Sequence, residues 1–396
     1  MPDLLIELLS EEIPARIQGF AAQELRKNML SFLAEQGLSE IAATAFSTPR
    51  RLTLFITGLP EKSDDFIEER KGPRVDAPQK ALDGFLRSVD LKLDQLTVKR
   101  DGNVDKYFAS IKTPGRISTQ IVAEALEKTI RTFPWPKSMR WGVSSLRWVR
   151  PLKGILCIFI KDADHQVIDL QIDGIRSDSC TTGHRFMAPE FFTVKDFDDY
   201  KLKLRNAFVI LDNRERSEII LNDANNLAFA NGLDLINDDA LLEEVSGLVE
   251  WPVTLLGKVD KAFLDLPSEV LRASMKEHQK FFSLKNPKTE KIERFITVAN
   301  IESADNGATI LEGNQKVLYA RLSDAKFFWE NDLRLIQKDG LDTWLEKLKN
   351  VTFHNKLGSQ ADKVLRISAL TKKLVGPLAC DGEVAVNGAN ICKSDL

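Results

Sequence analysis

Apolar residues at Ile17, Ala21, Leu25, Met29 and Phe32 recur every three or four positions behind Pro14, and Gly37 follows them. That is the stripe of an amphipathic helix. Proline suits its first turn, where the missing N–H costs little, and glycine suits its stop. Leu4 to Leu9 is a short apolar run without alternation, readable as a strand or a helix. Leu52 to Thr57 is apolar and β-branched and ends at Gly58 and Pro60, which predicts a strand. Residues 61–80 are charged and carry Gly72, Pro73 and Pro78, so a solvated connection is expected there. Lys106 to Lys112 reads as a strand. Gln120 to Arg131 reads as a helix, broken by Pro134 and Pro136.

Gly154 to Ile160 is the clearest strand, and Val167 to Ile175 alternates as a half-buried partner strand does. Asp212 and Glu215 have capping-box spacing before a long helix that stops near Gly232, and a second helix is expected from Asp238 to Gly247. Trp251 to Gly257 and Phe295 to Ile301 read as strands. From Asn314 onward strand signals vanish, and residues 314–331, 341–349 and 359–376 are helical in pattern. The pattern therefore predicts an α+β region leading into an all-helical one, with no internal repeat.

Composition narrows the class. At 396 residues the chain exceeds one ordinary domain, and typical sizes predict roughly two to four. Hydrophobic residues at 43% and charged residues at 29% match a globular protein. With 55 basic and 58 acidic residues the net charge is -3. The overall field does not attract a polyanion, so any nucleic-acid contact must come from local patches. Cys157, Cys180, Cys380 and Cys392 are scattered without CxxC spacing, which argues against a zinc site or disulfide framework and fits a reducing cytoplasm. The N-terminus has no basic region before an apolar stretch, and no apolar run approaches the ~20 residues of a membrane span.

Known catalytic signatures are missing. There is no GxxxxGK loop, GxGxxG turn, HExxH or GxSxG. His165, His184, His278 and His354 lie far apart, as hydrogen-bonded structural histidines commonly do. Adjacent acids such as Glu11-Glu12, Asp198-Asp199 and Glu243-Glu244 do not face one another on a helix and read as charged faces.

What remains is basic and aromatic. Phe133 to Gly142 and Leu146 to Pro151 hold three of the six tryptophans beside Lys137, Arg140, Arg147 and Arg150. Indole faces attract guanidinium groups and stack on bases, and arginine forks match phosphate oxygens. A structural joint, with arginine stems covering tryptophan rings, fits the same pattern. Thr181 to Phe186 is turn-like and presents His184 and Arg185 beside Gly183. Met275 to Phe282, if helical, puts Lys276 and Lys280 four apart on one face with His278 between them. In Arg321 to Trp329 a helix frames an aromatic stripe with Arg321 and Lys326. Each is readable as a solvated core element, a backbone-tracking RNA surface or a contact face for a partner subunit.

In this order the segments resemble the β subunit of the bacterial heterotetrameric glycyl-tRNA synthetase. The similarity runs through Leu4 to Ala15, Ser47-Thr48-Pro49-Arg50-Arg51-Leu52, Met139-Arg140-Trp141-Gly142, Arg150-Pro151, Thr182 to Phe186, Met275 to Phe282, Arg321 to Phe328 and Lys356-Leu357-Gly358-Ser359. The resemblance implies a multidomain α+β fold: an N-terminal α+β domain at 1–135, α+β domains at 136–310 partly similar to the phenylalanyl-tRNA synthetase β subunit, a helical connection at 311–350, and an incomplete HD-like helical domain at 351–396. It implies a subunit without its own active site, cytoplasmic, which binds and positions tRNA(Gly) and assembles with the α subunit as α2β2. ATP and Mg²⁺ are then expected on the α subunit. The resemblance implies that the family's anticodon-binding domain would be absent from these 396 residues. His354 is followed by Asn355 where an active HD site needs a His-Asp pair, so no metal is expected.

The resemblance makes Arg140, Arg147, Arg150, Arg185, Lys276, His278, Lys280 and Arg321 candidates for RNA or subunit contact. Two alternatives stand beside it: a scaffold whose basic-aromatic segments are buried joints, and, more remotely, an autonomous metal phosphohydrolase.

Overall fold

The computed structural model describes residues 1–39, 41–102, 104–162, 164–394 and 396. The chain divides into two compact units. The first comprises Met1–Gly257, Lys280–Glu290 and Arg294–Glu312, and the second Lys258–Gln279, Lys291–Glu293 and Gly313–Leu396.

The first unit opens with β1 (Asp3–Ser10), α1 (Ala15–Glu35), β2 (Ala42–Ser47) and β3 (Arg51–Thr57). The ambiguous run at the N-terminus is a strand buried on both sides. Leu4, Ile6 and Leu8 face the packing of α1, while Leu5 lies in a second core with Tyr200 and Leu204. A strand covered on both faces has no polar alternation, which is why its period is unreadable.

Residues 61–80 are a correction. They carry β4 (Phe66–Arg74) and lead into α2 (Gln79–Val89), β5 (Leu96–Asp101) and β6 (Val104–Thr113). The three strands form a sheet in the order β4-β6-β5. β4 is an edge, and its register shifts between Lys71 and Arg74, around Gly72 and Pro73. An edge bulge is where a strand tolerates proline.

After α3 (Ser118–Arg131) come β7 (Leu152–Lys161), β8 (Asp164–Val167), β9 (Gln171–Ile172) and β10 (Ile175–Asp178). The large sheet runs β2-β3-β1-β7-β10-β9, with β8 also paired to β7. Its joints are antiparallel except the parallel β7–β10 pair. The expected single strand from Val167 to Ile175 is therefore broken. Asp173 (φ 50) and Gly174 (φ 86) make a two-residue turn with both backbones left-handed, the conformation that Asp-Gly favours in hairpins. On one face of the sheet α1 and α3 supply Leu25, Met29, Leu33, Ile121, Leu126 and Ile130. The other face receives β11 (Cys180–Thr182), β12 (Phe191–Thr193) and α4 (Phe197–Asn206).

The first unit continues with α5 (Asn213–Ala230), β13 (Asp234–Leu235), α6 (Asp239–Ser246) and β14 (Val253–Lys258). The Asp212 side chain caps α5 by accepting from the Arg214 N–H, whereas Glu215 is drawn off to Arg205 and does not complete a capping box. In the second unit α7 (Ser268–Ser274) passes into a π-helical turn, Met275–Gln279. Lys280 then has φ 57, so the expected helix ends before it and Lys276 and Lys280 do not share a helical face. β15 (Phe282–Lys285) and β16 (Ile292–Ala299) complete a four-stranded sheet, β13-β15-β16-β14. Its core unites Ile220, Ala224, Leu241, Val245, Leu284 and Ile296.

The 32-residue α8 (Ala308–Asp339) and α9 (Asp342–Lys347) follow. The expected all-helical run is interrupted by a small ribbon, β17 (Thr352–His354) with β18 (Gly358–Ser359), before α10 (Gln360–Leu378) and α11 (Gly382–Ile391). Ser359 and Asp362 form a reciprocal capping box on α10. The chain is thus α+β and multidomain. Among the described residues no helix is long and apolar enough to cross a membrane.

Candidate functional site

The first unit carries an ionic network in its interior. Glu7 points from β1 into the Tyr200 side of the sheet, where alternation would place a leucine. It accepts from the Thr181 hydroxyl at 2.5 Å and the Tyr200 hydroxyl at 2.5 Å. Arg51, fully buried, lies 3.2 Å from Glu7 and pairs closely with Glu250. Arg51 also donates to the Thr182 carbonyl. Burial lowers the Arg51 pKa, but Glu250 and Glu7 outweigh it and raise it above the ordinary range. Glu250 gains a 2.7 Å bond from the Thr48 hydroxyl. Burial works against its charge, and Arg51 wins, holding its pKa low. Arg216 is buried as well. It donates to the carbonyls of Ser246, Ile210, Leu211 and Ser47 at 2.6–3.0 Å. Burial still brings its pKa down to about 10.

Four segments meet above this network. The Ser10 N–H donates to the Arg50 carbonyl (2.8 Å), Glu11 N–H to Pro151 (3.0 Å) and Ile13 N–H to Pro49 (2.6 Å). Arg185 grips Glu11 and Glu12 from the loop after β11, and Lys153 reaches Glu11 at 3.3 Å. Burial opposes the Glu11 charge, but Lys153 and Arg185 keep its pKa below normal. Gly183 is required here: a Cβ would stand 2.4 Å from the Ala207 Cβ and 2.7 Å from the Ala188 carbonyl. Next to it His184 is fully buried, and its Nδ1 accepts from the N–H groups of Phe186 and Met187. Burial lowers its pKa, so the imidazole is neutral. Arg50 is half-buried with a lowered pKa, again through burial.

The tryptophan-rich stretch is split between inside and outside. Trp148 is 0% exposed and Trp135 9%. Their rings stand 4.9 Å apart, edge to face, with Phe133 4.5 Å from Trp135. Trp141 packs partly against the same core. Trp135 and Trp148 are core, and the expectation that they stack on bases does not suit their burial.

The cations lie outside. From Lys128 to Lys161 the chain has eight (Lys128, Arg131, Lys137, Arg140, Arg147, Arg150, Lys153, Lys161) and no Asp or Glu. Acids from elsewhere reach some of them: Arg131 pairs with Glu127 and Asp173, Lys153 with Glu11, and Lys161 with Glu61. Lys128 lies over the Phe32 ring. Lys137, Arg140, Arg147 and Arg150 are exposed and enter no ion pair among the described residues.

The candidates therefore separate. Arg140, Arg147 and Arg150 are exposed along one stretch, and Arg150 adjoins the meeting point held by Arg185. Arg185 itself is committed to two carboxylates. Lys280 is tied through Glu244 to Arg16, each cation 3.2 Å from that carboxylate. Lys276, His278 and Arg321 belong to the second unit. There His278 and Arg321 are exposed and Lys276 is half-buried. Among the described residues no three His, Cys, Asp or Glu gather as a metal site. His354 is exposed, its Nδ1 accepting from the Lys356 N–H at 3.1 Å. Pattern reading missed Arg50, Lys153, Asp173, Arg216 and Glu250. The acid-free run was a visible signal for the surface, whereas nothing local distinguishes Glu250 from a solvated glutamate.

The family model of the glycyl-tRNA synthetase beta subunit matches residues 4–396. The glycine–tRNA ligase beta subunit of Ruegeria sp. (strain TM1040) is 57% identical over 397 residues, covering 100% of this chain and 58% of that protein. Its counterpart in Paracoccus denitrificans (strain Pd 1222) is 55% identical, with 100% and 58% covered. That of Phenylobacterium zucineum (strain HLK1) is 51% identical, again with 100% and 58% covered. The chain spans little more than half the length of these curated relatives.

Proposed function

The chain belongs to the glycyl-tRNA synthetase beta subunit family, and on that premise we propose that it serves glycyl-tRNA synthesis by gripping tRNA(Gly) and holding it toward a partner α subunit. One observation carries the RNA part of this reading: the exposed set Lys137, Arg140, Arg147 and Arg150, without ion pairs among the described residues, in an acid-free stretch of a net-acidic chain. Cations without carboxylate partners lose little when they meet phosphates, and each contact releases condensed counterions. Because Trp135 and Trp148 are buried and Trp141 is half-buried, the grip is to the backbone and independent of base identity. ATP and Mg²⁺ are assigned to the α subunit on the family resemblance, with which the lack of a GxxxxGK loop in this sequence agrees. Its contribution to rate is then proximity.

A filter-binding titration of the α–β complex against tRNA at rising salt tests this. The affinity should fall steeply, with log K linear in log salt. An affinity indifferent to salt contradicts it.

A scaffold reading is favoured at one place only. Arg185 and Lys280 are held by Glu11, Glu12 and Glu244, so within the first unit they act as struts. We assign them to holding the fold and the exposed quartet to RNA.

A further inference from the structure

The loop from Met139 to Trp148 is closed by an antiparallel bridge: Met139 N–H to Trp148 carbonyl at 2.8 Å, and the return bond at 3.2 Å. Arg140 and Arg147 are the residues next to that bridge on the loop side, so two exposed arginines leave the neck of one loop. The far side of the loop rests on a single carboxylate. Asp173, at the tip of the β9–β10 turn, accepts through Oδ2 from the Ser144 hydroxyl (2.5 Å) and the Leu146 N–H (2.7 Å). Its Oδ1 is 3.5 Å from Arg131. The hydrogen bond from Ser144, then that from Leu146, then Arg131 hold its carboxyl below the usual carboxylate range. It is charged at neutral pH, and although the residue is exposed at the turn, only 15% of its side chain is accessible.

Resting on the RNA-handling reading above, we propose that Asp173 is a positioning residue for nucleic-acid binding: an acid that fixes the Arg140–Arg147 loop in the shape that meets a phosphate backbone, without touching the backbone itself. A loop ordered before encounter does not have to be ordered on binding, and that difference appears as affinity. The consequence has an unusual sign. By charge alone, removing Asp173 makes this surface one unit more positive and should tighten binding to a polyanion. By positioning, removing it frees the loop and weakens binding. Charge screening and loop order thus predict opposite outcomes for one substitution.

The experiment compares Asp173→Ala, Asp173→Asn and Ser144→Ala with Arg140→Gln/Arg147→Gln in the α–β complex, by tRNA filter binding over a series of salt concentrations. Asp173→Ala should bind about tenfold more weakly with an unchanged salt slope, since no cation is lost. Asp173→Asn keeps one acceptor oxygen and should fall between it and wild type. The double arginine variant should lose both affinity and slope. Asp173 variants that bind as tightly as wild type, or more tightly, overturn the proposal while the arginine result leaves the RNA reading standing. Arginine variants with wild-type affinity instead overturn the RNA reading itself. If Asp173→Ala does not fold, judged by circular dichroism, the other two variants decide: weaker binding supports positioning, and equal or tighter binding refutes it.

Discussion

Arg51 stands between two buried acids, Glu7 and Glu250, and buried Arg216 also lies within the field of Glu250. Half-buried Arg50 lies within the field of Glu250 and offsets part of that charge. Breaking a buried pair of this kind costs roughly 3–5 kcal/mol, because the survivor is left charged without a partner. His184 sits beside this network and imposes a pH dependence. Its folded pKa lies below 6.5 through burial. An unfolded chain takes up the proton first as pH falls, so the contribution to stability is full above about pH 6.5 and is lost as pH falls through the folded value. Melting temperatures measured between about pH 7 and 5 should decline less steeply for His184→Asn than for wild type. Identical slopes would remove His184 from the account. None of this was legible in the sequence. A glutamate at position 7 reads as the polar face of a strand, and only the packing of α4 over that face turns it into a buried partner.

At the scale of elements, legibility followed the clarity of the apolar pattern. Helix α1 and strands β3 and β7 were readable because their residues keep a clear period or form a short, largely apolar run with β-branched members. β4 was missed, since Gly72 and Pro73 look like punctuation when the bulged edge that tolerates them is unseen. The basic loop was readable as a cluster, but its division into buried rings and exposed cations needed the aromatic packing around Trp148. The join between β11 and α4 is tight enough to test. Gly183→Ala would push a methyl against Ala207 and two carbonyl oxygens, and overpacking of this kind typically costs about 1–3 kcal/mol. A lowered denaturant midpoint is the expected result. An unchanged midpoint would mean that the loop after β11 yields freely, and with it the seat of Arg185.

Across the whole molecule, the formal charge of -3 hides a segregated distribution in which thirty-odd residues of the first unit carry no acid. Family membership was legible because several short motifs keep their order along the chain. The physical reason appears in the fold, where three of those motifs meet through backbone hydrogen bonds at Ser10 to Ile13 and a fourth joins them through the Arg185 side chain. Which motif residues face solvent was not legible, since exposure depends on elements far away in sequence. The central claim is that the unpaired arginines bind tRNA and leave the chemistry to another subunit. Steady-state glycylation by the α–β complex tests it most directly, with Arg140→Gln/Arg147→Gln/Arg150→Gln compared against wild type. The account predicts a KM for tRNA raised about tenfold or more, with kcat at saturating tRNA and the KM values for glycine and ATP unchanged, the signature of lost uniform binding. A fall in kcat at unaltered KM for tRNA would contradict it.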